Sequence, residues 1–399
     1  MQTTPISNRL HIGIFGRRNA GKSSLLNSLA GQNVAVTSSQ PGTTTDPVLK
    51  VMELIPYGPV VWIDTAGCDD EGEVGRLRVA KTFEVIGKTD LALIVISESG
   101  WGAMEAKLYR EFTARKIPVL AVINQIDRLA PAQLGAIRAS IPLEKTIEVS
   151  SLTGQGIEAL KQLIITHAPE KFESPAIIGD LVSPGDFVVL VVPVDYEAPK
   201  GRLILPQVQV LRDLLDHGAI GVTLKETELA AALPKLPEPR LVITDSQAFK
   251  LVGQIVPPAI ALTSFSILYA RYKGDINTLA MGAAMIDHLA PGDRILIAET
   301  CAHHLAKDDI AREKLPRWLR EYVGGDLEIH YVNGPDFPAN IAKYRLIIHC
   351  GGCMLNRRGV LSRIETATGM GVPITNFGIA IAKLAGILPR ALKVFNTVL

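Results

Sequence analysis

An apolar run at residues 10–15 passes directly into Gly16-Arg17-Arg18-Asn19-Ala20-Gly21-Lys22-Ser23, and a helical pattern opens at once over 22–30. No other stretch restricts the fold so tightly. The pattern G-x-x-x-x-G-K-S needs a strand before it and a helix after it. Its glycine-rich backbone wraps a phosphate chain with N–H groups, and the helix N-terminus faces the same anion. Lys22 reads as the cation for the β- and γ-phosphates and the Ser23 hydroxyl as a Mg²⁺ ligand, with Ala20 and Ser24 completing the phosphate cradle. A chance glycine turn would not bring both flanking elements with it. By itself the motif says only that a nucleoside triphosphate binds.

The elements after it narrow the base. Apolar runs at 60–63, 91–96, 119–123 and 147–149 alternate with helical patterns such as 157–167, the rhythm of an open, mainly parallel α/β sheet. Asp64-Thr65-Ala66-Gly67 ends one run: Asp64 reads as a Mg²⁺ contact through water and the Gly67 N–H as a γ-phosphate sensor. Asn124-Gln125-Ile126-Asp127 ends another. The Asp127 carboxylate accepts from guanine N1 and N2, which adenine does not offer. Ser150-Ser151-Leu152 ends the next and is expected to back the guanine O6. Pro41-Gly42-Thr43-Thr44 lies in the intervening loop, where Thr44 would close on Mg²⁺. Four motifs in this order, at strand ends, specify GTP.

Asn19-Ala20-Gly21-Lys22-Ser23-Ser24-Leu25-Leu26-Asn27 and Pro41-Gly42-Thr43-Thr44-Thr45-Asp46 make this segment resemble the TrmE and Era class of bacterial GTPases. The resemblance implies that Asn19 helps bind K⁺. It also implies slow hydrolysis, because Cys68 stands where Ras-like enzymes keep a water-positioning Gln; K⁺ would partly replace an arginine finger. Two residues depart from the class. Gln125 replaces its usual Lys, from which weaker nucleotide binding with unchanged base choice is expected, and Thr45 replaces an Arg.

With 399 residues, the chain is too long for one ordinary core, and three α/β domains are expected: 1–170, 176–263 and 264–399. Residues 169–184, rich in proline and glycine, read as a linker. The middle segment holds buried-strand patterns at 187–194, 220–223, 241–244 and 260–262 but no chemical cluster, so it reads as a scaffold or association domain. The last opens with a long helical pattern, then carries strand patterns at 294–298, 328–332 and 346–348 and a helix at 361–368. Lys and Arg total 41 against 40 Asp and Glu, so no basic excess exists to hold nucleic acid. No apolar run spans a bilayer, and residues 1–9 lack a signal-peptide core. Four cysteines in such a length exclude a disulfide scaffold and fit a reducing, cytoplasmic setting.

Three of those cysteines fall in Cys301-Ala302-His303-His304 and His349-Cys350-Gly351-Gly352-Cys353. Each group follows a strand pattern, where open α/β sheets place ligands, and adjacent parallel strands would bring the groups together. The donors suit a Cys₃His zinc site and a three-thiolate [4Fe–4S] cluster equally. The C-x-H…H-C-x-x-C pattern, behind a TrmE-like domain and a middle domain, resembles the HydF family of [FeFe]-hydrogenase maturation GTPases along the whole chain. That resemblance implies a [4Fe–4S] cluster on Cys301, Cys350 and Cys353. His303, His304 or His349 would then be a fourth ligand or a neighbour. It further implies a homodimer built on the middle domain. The family carries a transient diiron precursor, made with the radical-SAM maturases HydE and HydG, to the hydrogenase HydA. The rival reading is an RNA- or ribosome-associated GTPase with a structural zinc site; the balanced charge speaks against it.

Overall fold

The computed structural model describes residues 5–31, 47–69, 72–169, 176–194, 203–300, 309–334, 337–338 and 340–395; of 72–78 only the backbone is described. The chain forms two compact units, Met1–Glu173 and Ser174–Leu399. In the first, strands β1 (Leu10–Gly16), β2 (Val48–Leu54), β3 (Gly58–Asp64), β4 (Leu91–Ile96), β5 (Val119–Ile123) and β6 (Thr146–Glu148) build one sheet in the order β2-β3-β1-β4-β5-β6. Every pairing is parallel except β2 with β3. The central strands are apolar on both faces because helices cover both. Leu91, Leu93 and Val95 enter one core, while Ala92, Ile94 and Ile96 enter the other.

The second unit holds two four-stranded parallel sheets. Strands β7 (Phe187–Val191), β8 (Ile220–Leu224), β9 (Leu241–Thr244) and β10 (Ala261–Ser264) run in the order β10-β9-β7-β8. Strands β11 (Arg294–Ala298), β12 (Glu328–Val332), β13 (Leu346–His349) and β14 (Ile374–Asn376) run in the order β12-β11-β13-β14. One continuous core joins them: Val189, Val242 and Leu262 of the first sheet share it with Leu296, Ile347 and Ile374 of the second.

The helix Phe265–Lys273 starts directly from β10, where the Ser264 hydroxyl caps it by accepting from the Ile267 N–H at 3.2 Å. The long helical pattern expected after Ser264 is in fact two helices, Phe265–Lys273 and Ile276–Ala284. The break is chemical: Asp275 caps the second helix by accepting from the Thr278 N–H at 2.7 Å. The stretch read as a linker to residue 184 also needs correction from 176 onward. Ile177 and Ile178 are buried in the core of the middle sheet, so apolar side chains between the turn residues draw the chain inward. Among the described residues, no helix is long and apolar enough to cross a membrane.

Candidate functional site

The phosphate loop hangs between β1 and the helix Lys22–Ala30. Gly21 has φ +83°, and a Cβ there would meet the Asn124 side-chain nitrogen at 2.4 Å, so both backbone shape and space demand glycine. The Lys22 ammonium is buried and donates to the carbonyls of Gly16 at 3.1 Å and Arg17 at 2.8 Å. At the end of β3, the Ser23 hydroxyl donates to Asp64 Oδ2 at 2.5 Å. Burial raises the Asp64 carboxyl above its usual range; the Ser23 bond and the charges of Lys22 and Lys50 pull it back in part. Asp64 Oδ1 is buried with no hydrogen-bond partner among the described residues. A carboxylate oxygen left bare beside a serine hydroxyl is the donor set a Mg²⁺ ion takes.

Gly67 lies against the loop so closely that a Cβ would sit 2.9 Å from the Arg18 backbone nitrogen. Cys68 follows, buried, with its N–H donating to the Gly16 carbonyl at 3.2 Å and its thiol pushed up in pKa by burial. The Arg18 N–H in turn donates to Asp69 Oδ1 at 2.6 Å. Asn19 has φ +60°, a conformation asparagine tolerates better than most residues. Thr44 and Thr45 lie outside the described residues.

At the base-reading end, Asn124 is fully buried and acts as a brace. Its amide donates to the carbonyls of Ala20 at 3.1 Å and Gly21 at 3.3 Å, and its oxygen accepts from the Ser151 hydroxyl at 2.8 Å. The Ser150 hydroxyl donates to Asp127 Oδ1. Both serine hydroxyls therefore orient the residues expected to read the base. Gln125, at φ +62°, donates to the Asn19 carbonyl at 3.1 Å, so the residue that departs from the class pattern still ties this loop to the phosphate loop. No sequence motif marks Glu105. It is buried on the helix Ala103–Ala114 and takes Arg17 in a two-pronged ion pair, both contacts at 2.9 Å, while accepting from the Gly102 N–H. Nothing in the sequence links positions 17 and 105.

The second site lies at the carboxyl ends of β11 and β13, which are neighbours with Ala298 opposite His349. The Cys350 N–H donates to the Ala298 carbonyl at 2.9 Å, and its sulfur lies 3.2 Å from the Thr300 hydroxyl. Thr300 is the immediate neighbour of Cys301. Cys301, His303 and His304 themselves lie outside the described residues. Burial raises the Cys350 thiol, opposed by the Thr300 hydrogen bond. Among the described residues, no three His, Cys, Asp or Glu side chains come close enough to hold a metal. The two half-buried thiols of the C-x-x-C loop are soft donors that fit an iron–sulfur cluster or zinc.

His349 is 4% exposed, and both its nitrogens are engaged. Nδ1 meets the Cys350 carbonyl, so it carries the proton; Nε2 accepts from the Arg363 guanidinium at 2.9 Å. Burial, then the charge of Arg363, lowers its pKa to about 3. In this arrangement both ring nitrogens are engaged, and the ring braces the loop. Lys273, which no sequence pattern marked, reaches the same loop. It is 1% exposed and donates to the carbonyls of Gly352 and Cys353, each at 3.1 Å, and Leu355 at 2.7 Å.

Residues 11–125 match a family described as 50S ribosome-binding GTPase. A tRNA modification GTPase MnmE from Desulfotalea psychrophila is 35% identical over 161 residues, 38% of this chain and 33% of that protein. A GTPase Era from Aquifex aeolicus is 29% identical over 171 residues, 40% of this chain and 57% of that protein. The chain thus spans about a third to a little over half the length of these relatives. A crystal structure of Aquifex aeolicus Era bound to GDP and AlF₄⁻ aligns with a TM-score of 0.35 and 21% identity over 54% of this chain and 91% of that one. Residues 177–274 match the hydrogen maturase F dimerization domain and 277–394 its tetramerization domain, so the segment without chemistry is built for self-association. With those two domains covering more than half of its length behind a GTPase domain, the chain belongs to the hydrogen maturase F family.

Proposed function

We propose that this protein couples GTP hydrolysis to the handling of an iron–sulfur cluster, and that it delivers a diiron precursor to an [FeFe]-hydrogenase as a cytoplasmic scaffold. HydE and HydG would be the suppliers and HydA the recipient. The observation that carries the reading is the C-x-x-C loop at the end of β13, with Thr300 of the neighbouring strand end against the Cys350 sulfur. Cys301 is the next residue after Thr300 in the sequence, and its thiol would be the third ligand beside Cys350 and Cys353. A [4Fe–4S] cluster on Cys301, Cys350 and Cys353 would supply an anionic metal centre with one iron open to an outside ligand. Protein purified anaerobically and reconstituted with iron and sulfide should be brown and should activate hydrogenase. A colourless, zinc-loaded protein would favour the rival, RNA-linked reading.

In the GTPase domain, Lys22 and the loop amides would neutralise the phosphates, Ser23 and Asp64 would hold Mg²⁺, and Asp127 would read guanine. Cys68 is buried and is a poor group to orient water, so hydrolysis rests on charge compensation at the phosphates. With K⁺ at Asn19, turnover should rise in K⁺ over Na⁺ at equal ionic strength, by a fraction of the roughly 10³-fold an arginine finger supplies. Asn19→Ala should lose the difference. At φ +60° alanine also strains the loop, so Asn19→Gly is the cleaner variant. Equal rates in both salts would remove the K⁺ site.

The association function is proposed for the middle segment, 176–263, and the cluster function for 264–399. Residues 174–399 expressed alone should self-associate in light scattering, since they contain both association domains and form a compact unit. A monomer would contradict that assignment.

A further inference from the structure

Lys273 closes the helix Phe265–Lys273 and points its ammonium into protein, where it is 1% exposed. Three carbonyls receive it, from Gly352, Cys353 and Leu355, at 3.1, 3.1 and 2.7 Å. An ammonium has three N–H donors and a neutral amine two, so this cradle fits the charged form. All three acceptors belong to the loop that carries Cys350 and Cys353. Gly352 has φ +63°, and a Cβ there would meet the Val360 side chain at 3.0 Å, so its carbonyl is held where Lys273 finds it. A second tie runs in parallel: the Arg357 guanidinium donates to the Tyr272 carbonyl at 3.2 Å. Burying an ammonium is costly, and an apolar chain of similar length would fill the space at less cost.

We propose that Lys273 is the positioning and charge-compensating residue of the metal loop: it orders the Cys350–Cys353 turn before iron arrives and stabilises the more anionic, reduced state of the bound cluster. The inference rests on the reading of that turn as cluster-binding. Three thiolates leave a [4Fe–4S] centre anionic, and one-electron reduction adds a further negative charge. A cation fixed behind the loop lowers the energy of that added charge.

The test uses the full chain with Lys273→Met, Lys273→Gln and Lys273→Arg. Amide exchange of residues 351–355 is read in the metal-free protein, and the cluster midpoint potential in protein reconstituted with iron and sulfide, with dithionite as electron donor. In Lys273→Met, loop exchange should rise at least tenfold, and the preference for the reduced cluster should fall about tenfold, which is about 59 mV on a one-electron couple. Lys273→Gln keeps two donors without the charge, so it should hold the loop better yet show the same lowered potential. Lys273→Arg should restore the potential. Should the methionine variant fail to fold, the glutamine and arginine pair still separates charge from loop order. Unchanged potential in both neutral variants would overturn charge compensation; unchanged exchange in Lys273→Met would overturn loop ordering. Wild-type protein that takes up no cluster would instead overturn the cluster reading and the charge role with it, and the exchange measurement would still decide loop ordering.

Discussion

Replacing Cys350 with serine is expected to strip the iron and leave GTP hydrolysis intact. The backbone of residue 350 is held through its N–H to the Ala298 carbonyl, which the substitution does not touch, and a serine hydroxyl still fits beside Thr300. The fold should therefore survive. The ligand does not: an alcohol keeps its proton at neutral pH where a thiol gives it up to iron. Losing one of three thiolates should weaken iron retention by about a hundredfold, the upper end of what even outer residues of metal sites cost. Maturation of hydrogenase should fail with it. The GTP motifs lie in Met1–Glu173 and Cys350 in Ser174–Leu399, so turnover of GTP should stay near wild type. Iron and sulfide content, measured beside GTP turnover on one preparation, decides the matter. A full cluster in the variant would refute the ligand assignment.

Asp127→Asn should produce the reciprocal phenotype. The Asp127 carboxylate, oriented by Ser150, would accept two hydrogen bonds from guanine N1 and N2. Bonds to a charged acceptor contribute about 1.5–3 kcal/mol each, so GTP affinity should fall by about 10²- to 10⁴-fold. The asparagine amide would face guanine donors with a donor of its own, while a base bearing an oxygen at C2, as xanthine does, would suit it. Titration with guanine, xanthine and adenine nucleotides checks both halves. Cluster content should not change. Undiminished GTP affinity would remove Asp127 from the base site.

Why some of this was legible in sequence and some was not follows from how each element is stabilised. Leu91–Ile96 and Arg294–Ala298 were readable to the residue because buried parallel strands are continuous apolar runs. β2, Val48–Leu54, was not anticipated. It is the antiparallel edge of its sheet, and Val48, Leu49 and Glu53 are exposed, so its side chains follow no single buried pattern. The phosphate-loop residues were legible because local backbone shape dictates them. Glu105, Arg363 and Lys273 were not, since each acts across 88, 14 or about 80 positions of chain. A lysine closing a helix reads as an ordinary charge at a helix C-terminus. Only the fold shows that this one is buried. His349 was singled out for its chemistry, and only its two hydrogen bonds show it as a brace.

The single core beneath β7–β10 and β11–β14 has a consequence for inheritance. Val189, Val242 and Leu262 share one core with Leu296, Ile347 and Ile374, so one face of each sheet is finished only by the other, although each has a core of its own on its opposite face. A recombination joint between residues 274 and 277, where one family domain ends and the next begins, would pair two half-cores never selected to fit each other. A joint near residue 174 cuts through no such interior. Exchanging one of these two domains for that of a relative should therefore destabilise the chain, whereas exchanging the segment before residue 174 should leave this shared core intact.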